Sequence, residues 1–360
     1  VGKMKAIVLC AGKGTRLRPL TFTNAKPLIP VANKPTIMYS LEMIKNAGIV
    51  DVGIIVNPDN KKDFEAALGD GSRIGLNLSY HVQAEQKGLA HAASIAQEFI
   101  GEDTFLMYLG DNMITVDLGK FIKDFEEKNL DSSILLTPVE DPSRFGIAVM
   151  EEDKVVRVVE KPKEPPSNLA IVGVYIFKPM VFEGIKDLKP SARGEYEITD
   201  AIQWMISSGK TVGAKIIKEW WKDTGKPEDL IEANRVILET FKTSFIEGNV
   251  YENSVVNGNV HIGKNSKIMG SIVRGPVIIG ENCTITNAFI GPYTSVGNGV
   301  NIEESEIENS IILDNARISN LKSRIDSSII GAYAKITSIE RKPNSIRFVI
   351  GDYGNVEIPK

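Results

Sequence analysis

Lys5-Ala-Ile-Val-Leu-Cys-Ala-Gly-Lys-Gly-Thr-Arg-Leu-Arg-Pro19 begins with an unbroken apolar run and passes directly into a loop containing two glycines. A run without polar alternation suits a strand covered on both faces, as in a parallel sheet. The carboxyl end of such a strand is where open α/β sheets meet their ligands. Residues 37–47 then carry apolar side chains at helical spacing and residues 52–56 form a second apolar run, which completes a strand–helix–strand unit. Further strands are expected at 104–109, 133–138, 155–160, 170–177 and 212–218, with helices at 61–68, 89–99, 118–128, 198–207 and 227–241. The later strands add sheet beyond a doubly wound core, so the expectation is a Rossmann-like α/β domain with a mixed sheet.

From about residue 245 the pattern changes, with Gly, Asn, Ser, Ile and Val dominating and long helical periodicity gone. Val250, Val256, Ile262 and Ile268 are six apart, as are Val273, Ile279 and Ile285 and then Ile290, Val296 and Ile302, with five-residue steps between the groups. One aliphatic per hexapeptide with Gly or Asn at the turns (Ile262-Gly-Lys-Asn265, Ile279-Gly-Glu-Asn282) suits a left-handed parallel β-helix, three hexads to a coil. An antiparallel sandwich would alternate with period two instead. Ile307, Ile312, Ile318, Ile325, Ile330 and Ile336 continue the row, and residues 344–359, with the turn signal Asp352-Tyr-Gly-Asn355, are expected to form a hairpin over the open end. The division expected is an α/β domain at 1–243 and a β-helix at 244–360.

With 42% hydrophobic and 24% charged residues in 360, the chain can build two cores. Its formal charge of −4 is spread without long blocks of one sign, which argues against a nucleic-acid surface and makes any phosphate site a local device. Cys10 and Cys283 follow no metal or disulfide spacing and read as buried thiols in a reducing compartment. No apolar run approaches the roughly 20 residues of a membrane span, and Val1-Gly-Lys-Met4 does not look like a signal peptide, so a cytoplasmic protein without membrane partners is expected.

The glycine loop fits neither of two familiar phosphate loops. Leu17 stands where a dinucleotide loop needs its third glycine, and no Gly-Lys-Ser/Thr follows as in a Walker loop. A tight βα turn would account for the glycines alone. Arg16 and, ten residues on, Lys26-Pro27 add two cations near the same strand end, which is how a polyphosphate is neutralised during attack at one phosphorus. Asp111 follows the apolar run 105–109 and Asp223 follows the segment ending Trp220-Trp221, so both carboxylates could reach one crevice at strand ends.

The loop, Lys26-Pro-Leu-Ile-Pro30, Gly69-Asp-Gly-Ser72, Leu109-Gly-Asp-Asn112, Glu160-Lys-Pro162, Pro190-Ser-Ala-Arg-Gly-Glu-Tyr-Glu-Ile-Thr-Asp200 and Asp223-Thr-Gly225 together resemble the glucose-1-phosphate thymidylyltransferases. The resemblance covers residues 4 to about 240 in order, and the added β-helix is similar to the long, two-domain members. It implies a nucleotidyltransferase in which a hexose 1-phosphate oxygen attacks the α-phosphorus of dTTP in line, with Mg2+ bridging carboxylates and phosphates. It further implies that Leu9, Gly12, Gly14, Thr15, Arg16, Lys26 and Asp111 hold the nucleotide, and that Gln83 and Gly88 read the base. Gly146, Glu160, Lys161, Ile171, Tyr175 and Arg193 would hold the sugar phosphate, and Asp111 and Asp223 the metal. Arg16, Lys26, Asp111, Lys161 and Asp223 would carry the catalysis. The attacking phosphate is already an anion at neutral pH, so no general base is required, and His81, His91 and His261 lie in no catalytic-looking motif.

Gln83-Ala-Glu-Gln-Lys-Gly88 lacks the prolines usual in that family's bacterial members, and Ala90-His91-Ala92 is similar to uridylyltransferase relatives. UTP with glucose 1-phosphate or N-acetylglucosamine 1-phosphate is therefore the alternative pair. Related enzymes carry an acetyltransferase on the β-helix, for which His261 is the one base to consider. Non-catalytic regulatory or scaffold subunits share the layout but tend to lose the loop that is intact here. The solenoid reads as an assembly domain for a homo-oligomer.

Overall fold

In the computed structural model, which describes residues 4–340 and 346–358, the opening apolar run forms strand β1 (Lys5–Leu9) with Ala6, Ile7 and Val8 fully buried. Its side chains alternate between two apolar clusters, Ala6 and Val8 in one, Ile7 and Leu9 in the other. A strand packed on both faces needs helices on both sides of its sheet. Short strands β2 (Pro30–Val31) and β3 (Lys34–Pro35) pair antiparallel, followed by α1 (Thr36–Asn46), β4 (Asp51–Val56), α2 (Lys61–Leu68) and β5 (Asn77–Val82). Next come α3 (Leu89–Ile95), α4 (Gln97–Ile100), β6 (Phe105–Leu109), β7 (Asn112–Ile114), α5 (Leu118–Glu127) and β8 (Ser132–Pro138). Then follow β9 (Gly146–Glu151), β10 (Lys154–Glu160), β11 (Leu169–Phe177), α6 (Val181–Asp187), α7 (Ile198–Ser207), β12 (Val212–Ile216), β13 (Trp221–Asp223) and α8 (Pro227–Glu239).

Nine strands make one sheet in the order β5-β4-β1-β6-β11-β8-β12-β10-β9. Strands β5, β4, β1 and β6 are parallel, whereas β11 runs antiparallel to both β6 and β8, and β10 and β9 are antiparallel. The mixed α/β sheet expected from the sequence is thus present. One face is covered by α1, α2 and α5 through Leu41, Phe64 and Phe121, the other by α3, α4, α6 and α7 through Ala93, Ile100, Phe182 and Ile202. The single helix expected at 89–99 is broken at Ala96, whose backbone (φ −90°, ψ 4°) leaves the helical region between α3 and α4. Strands β5 and β9 and helix α6 were not legible. Every side chain of β5 keeps some exposure, so it carries no apolar run, and α6, at seven residues, is too short to show a period.

The second compact unit takes in Gly14–Thr23, Ile29–Thr36 and the chain from Thr224 onward. Helix α8 belongs with it because Asn234, buried, accepts from the Ala32 amide (2.8 Å) and donates to the Tyr293 carbonyl (2.9 Å). Asn33 donates to the Val296 carbonyl (2.6 Å), and the Arg235 guanidinium lies 4.6 Å from the Tyr293 ring centroid. Sequence composition registers the change of secondary structure near 245, whereas these hydrogen bonds act earlier in the chain.

The solenoid is built of three parallel sheets of six, six and four strands. Ile262, Ile279, Val296, Ile312 and Ile330 stack on one face, Val250, Ile268, Ile285, Ile302, Ile318 and Ile336 on the second, and Val256, Val273, Ile290 and Ile307 on the third. The hexapeptide row is therefore one inward side chain per face of a left-handed β-helix. Asn265, Asn282 and Asn315 sit at corners with φ of 57–59°, the left-handed region that asparagine tolerates, and Asn265 donates to Asn282 on the next coil (3.2 Å). Both cysteines are buried and free.

The expected terminal hairpin lies partly outside the described residues, at 344, 345 and 359. Within 346–358 no strand forms. A turn at Asp352–Tyr353, closed by Gly354 N–H to the Gly351 carbonyl (3.1 Å), is present, but Ile346, Phe348 and Val349 are exposed. The turn chemistry was legible there, while strand pairing also needs a buried face that these side chains do not have. Instead, the Tyr353 ring lies 5.8 Å from Phe22, beside Arg18.

Candidate active site

Asp111 and Asp223 are brought together by a two-stranded ladder. β13 pairs antiparallel with β7, setting Asp223 opposite Asn112, the residue after Asp111. The Lys26 ammonium, on a side chain only 8% exposed, lies between the two carboxylates, 2.5 Å from Asp111 Oδ2 and 3.2 Å from Asp223 Oδ1. Both carboxylates keep about a third of their surface open, 34% and 36%. Two carboxylates this close repel, and a buried ammonium between them offsets the repulsion. Two glycines make the geometry possible: a methyl at Gly110 would come within 2.4 Å of Cys10 Sγ, and one at Gly173 (φ 86°) within 2.3 Å of Asn112 Nδ2. Asn112, buried, donates to the Val172 carbonyl (2.5 Å), which ties β7 to the main sheet. Burial, and then the charge of Asp111, push the Cys10 thiol well up, so it packs as a neutral side chain.

The glycine loop is divided between the two units after Lys13. Leu9 is buried, and the loop start is held by Cys10 N–H donating to the Ile55 carbonyl (2.7 Å) and by Asn57 and Gln86 donating to the Ala11 carbonyl. Nothing lies within 4 Å of a methyl built on Gly12. In the second unit Gly14 is left-handed (φ 60°) and its carbonyl accepts from the Thr21 hydroxyl (2.8 Å), after which Thr15, Arg16 and Leu17 make one 3-10 turn. Arg16 lies against Gly225, where a methyl would come within 2.7 Å of its guanidinium.

Gln83 follows β5, its backbone N–H bonded to Val56 O (2.8 Å), and its side chain is buried. The carboxamide nitrogen lies 3.3 Å from the Gly88 carbonyl and 2.9 Å from His91 Nδ1. Gly88 has φ 100° and would bring a methyl to 2.5 Å from the Tyr196 carbonyl. Tyr196 N–H donates to Lys87 O (2.7 Å) and Tyr196 O accepts from Ala90 N–H (3.0 Å), so residues 87–90 are stapled to the Pro190–Asp200 motif.

Glu160 ends β10 opposite Gly146 at the start of β9, and a methyl on Gly146 would lie 3.1 Å from its carboxylate and 3.3 Å from Ile171. Burial first, then the neighbouring Glu197, raises the Glu160 carboxyl above its ordinary value, against the lowering by Lys161 and Arg193. Lys161 Nζ is 3.7 Å from Glu160, on a left-handed backbone (φ 40°) that costs a lysine about 1 kcal/mol and aims its stem off the strand end. Arg193 is engaged by carboxylates: Glu197 at 2.9 Å, Glu195 at 3.2 Å and Glu160 at 3.5 Å. Ile171 and Tyr175 are buried in the apolar cluster, with Tyr175 stacked on Phe177 (5.7 Å), so they form wall rather than open contacts. Phe145, before Gly146, meets Trp221 edge-on at 5.4 Å.

Sequence reading had not found Glu197, which is buried and accepts from Ser191 (2.7 Å) and Arg193, nor Thr199, which donates to Glu160 (3.2 Å). Both lie inside the motif quoted for the family, four and six residues after Arg193. In the solenoid, His261 is stacked on Phe241 (4.0 Å, 9°) and lies 3.1 Å from the Thr243 carbonyl, so its ring packs within the repeat.

Residues 5–240 match the nucleotidyl transferase family, residues 236–302 the GlmU-like C-terminal hexapeptide family, and residues 273–357 the GMPPB C-terminal domain. The chain is 44% identical to a glucose-1-phosphate thymidylyltransferase of Streptomyces griseus, over 99% of each. It is 43% identical to a low-salt glycan biosynthesis nucleotidyltransferase of Haloferax volcanii, over 99% of this chain and all of the relative. A solved UDP-glucose pyrophosphorylase with UDP-glucose superposes with a TM-score of 0.59 at 29% identity, covering 66% of this chain and 98% of that one. Among the described residues no helix is long and apolar enough to cross a membrane.

Proposed function

The chain belongs to the nucleotidyl transferase family, and from that premise we propose that it transfers the nucleoside monophosphate of dTTP to glucose 1-phosphate, giving dTDP-glucose and pyrophosphate. The observation that supports this most is Lys26 held between Asp111 and Asp223. Two carboxylates and one ammonium leave a formal charge of −1, poorly suited to a triphosphate alone and well suited to one that arrives with a divalent cation. Oxygen-only donors fit Mg2+, and no cluster of three ligating side chains exists among the described residues, so substrate oxygens and water would complete its shell. Asp111 and Asp223 would hold Mg2+, which would supply neutralisation of the triphosphate charge.

Residues 1–243 carry the chemistry and 244–360 the solenoid, which packs subunits into a homo-oligomer. Leu9, Gly12, Gly14, Thr15 and Arg16 wrap the nucleotide, with Arg16 and Lys26 stabilising charge on the departing pyrophosphate. Gln83 and Gly88 face the base. Lys161 holds the attacking phosphate as a point charge, its left-handed backbone directing it. Glu160 accepts from the sugar hydroxyls, with Gly146 leaving room beside it and Ile171 and Tyr175 lining the wall. Arg193 holds Glu160 and Glu197 in place. The phosphate monoester oxygen is the nucleophile in its ordinary anionic state, so no side chain need take a proton from it.

Incubation of the purified chain with dTTP, glucose 1-phosphate and Mg2+, followed by anion-exchange chromatography, tests this directly. dTDP-glucose formed one for one with pyrophosphate supports the proposal, and hydrolysis without a nucleotide sugar overturns it. UTP is the second reading, favoured by the likeness to the pyrophosphorylase named for UDP-glucose.

A further inference from the structure

The nitrogen end of the Gln83 carboxamide is fixed by an acceptor that can only accept. Gly88 O lies 3.3 Å from Nε2, and a carbonyl has no proton to give, so the amide presents its NH2 to Gly88. His91 Nδ1, 2.9 Å from the same nitrogen, must then also accept. That requires a neutral imidazole with its proton on Nε2. The charged and titratable groups around His91 agree with neutrality: burial and Lys87 lower its pKa, against Glu85, while Tyr196 packs 6.5 Å away. Gly88 and His91 cannot drift, because residues 87–90 are stapled to Tyr196. Among the described residues no donor reaches Gln83 Oε1.

We infer that His91 is a positioning residue that locks the Gln83 carboxamide with its oxygen outward, and so selects uracil and thymine nucleotides over cytosine nucleotides. Uracil and thymine share an N3–H donor, which an outward amide oxygen accepts. Cytosine has a lone pair at N3 and meets that oxygen acceptor against acceptor. Thymine and uracil differ only at the C5 methyl, so the lock admits dTTP and UTP alike. The inference rests on the base-reading role proposed for Gln83.

Two variants separate the acceptor from the ring. His91→Phe keeps a ring against Tyr196 and removes the acceptor, while His91→Gln removes the ring and keeps an acceptor oxygen. The readout is kcat/KM for dTTP over that for dCTP, each with glucose 1-phosphate and Mg2+. The expected result is a fall in this ratio of about tenfold or more in His91→Phe and a ratio within about threefold of the parent in His91→Gln, as loss of one polar readout implies. An unchanged ratio in His91→Phe, or a collapse in His91→Gln alone, overturns the inference in favour of packing. Parent enzyme that uses dTTP without preference over dCTP overturns it while leaving nucleotidyl transfer standing, and parent enzyme that turns over no nucleotide overturns the proposed function together with it.

Discussion

Lys26 Nζ lies 2.5 Å from Asp111 Oδ2, with the lysine side chain almost wholly buried and the aspartate a third open. The ammonium is thus positioned by the carboxylate on the side away from solvent. Its replacement should remove stabilisation of charge that develops on the phosphates. Lys26→Met is expected to lower kcat by two to three orders of magnitude, roughly the cost of deleting one oriented donor at a developing anion, with the far-ultraviolet circular dichroism unchanged. A loss below about tenfold would make Lys26 a structural counter-ion only. Arg16→Ala should lower kcat on the same scale.

Asp111→Asn and Asp223→Asn halve the carboxylate charge at the site. Each should raise the Mg2+ concentration needed for half-maximal rate by at least about tenfold, in a titration of initial rate against metal. EDTA should abolish turnover of the parent and Mg2+ restore it. Equal metal dependence in parent and variants would remove both residues from the metal site.

Gly173→Ala tests the backbone under Asn112. The position has φ 86° and an added methyl would meet Asn112 Nδ2 at 2.3 Å. Strain and contact act together here, so a loss of more than about 1 kcal/mol is expected in urea unfolding. Because Asn112 pairs with Asp223 in the β7–β13 ladder, kcat should fall as well.

The raised Glu160 carboxyl gives a pH dependence with a definite sign. The folded carboxyl lies above the ordinary 4.5 of a glutamate, chiefly through burial and then through Glu197. Protonation removes the acceptor for sugar hydroxyls, so KM for glucose 1-phosphate should rise as the pH falls through a value above 4.5. Stability moves oppositely: the ionised group costs stability, and that cost is relieved below the folded pKa. Glu160→Gln should show a flat KM over the same range.

Ile285→Ala empties one inward position of the solenoid. The side chain is fully buried, and its loss should cost about 2–5 kcal/mol, measured as a lower transition temperature by calorimetry.

Much of this fold is legible in the sequence. The helices at 61–68 and 198–207 match their expected bounds, and the hexapeptide row from Val250 to Ile336 is the inward column of the β-helix. Both signals are periodic over many residues, which is what sequence reading detects. The β7–β13 ladder was not legible, because three residues per strand carry no period and their pairing spans more than a hundred residues. The partners of site residues were equally hidden. Lys26, Asp111 and Asp223 could be named from their neighbours in the chain, but that one ammonium bridges both carboxylates is a tertiary fact. The tie between Gln83 and His91, and the three carboxylates on Arg193, are of the same kind.

The most direct measurement is initial pyrophosphate release with Mg2+ across dTTP, UTP, CTP, ATP and GTP, each paired with glucose 1-phosphate, glucosamine 1-phosphate and N-acetylglucosamine 1-phosphate. The fastest release is expected with dTTP and glucose 1-phosphate, followed by UTP. Release led by a purine nucleotide, or none with any pair, would contradict the proposed reaction.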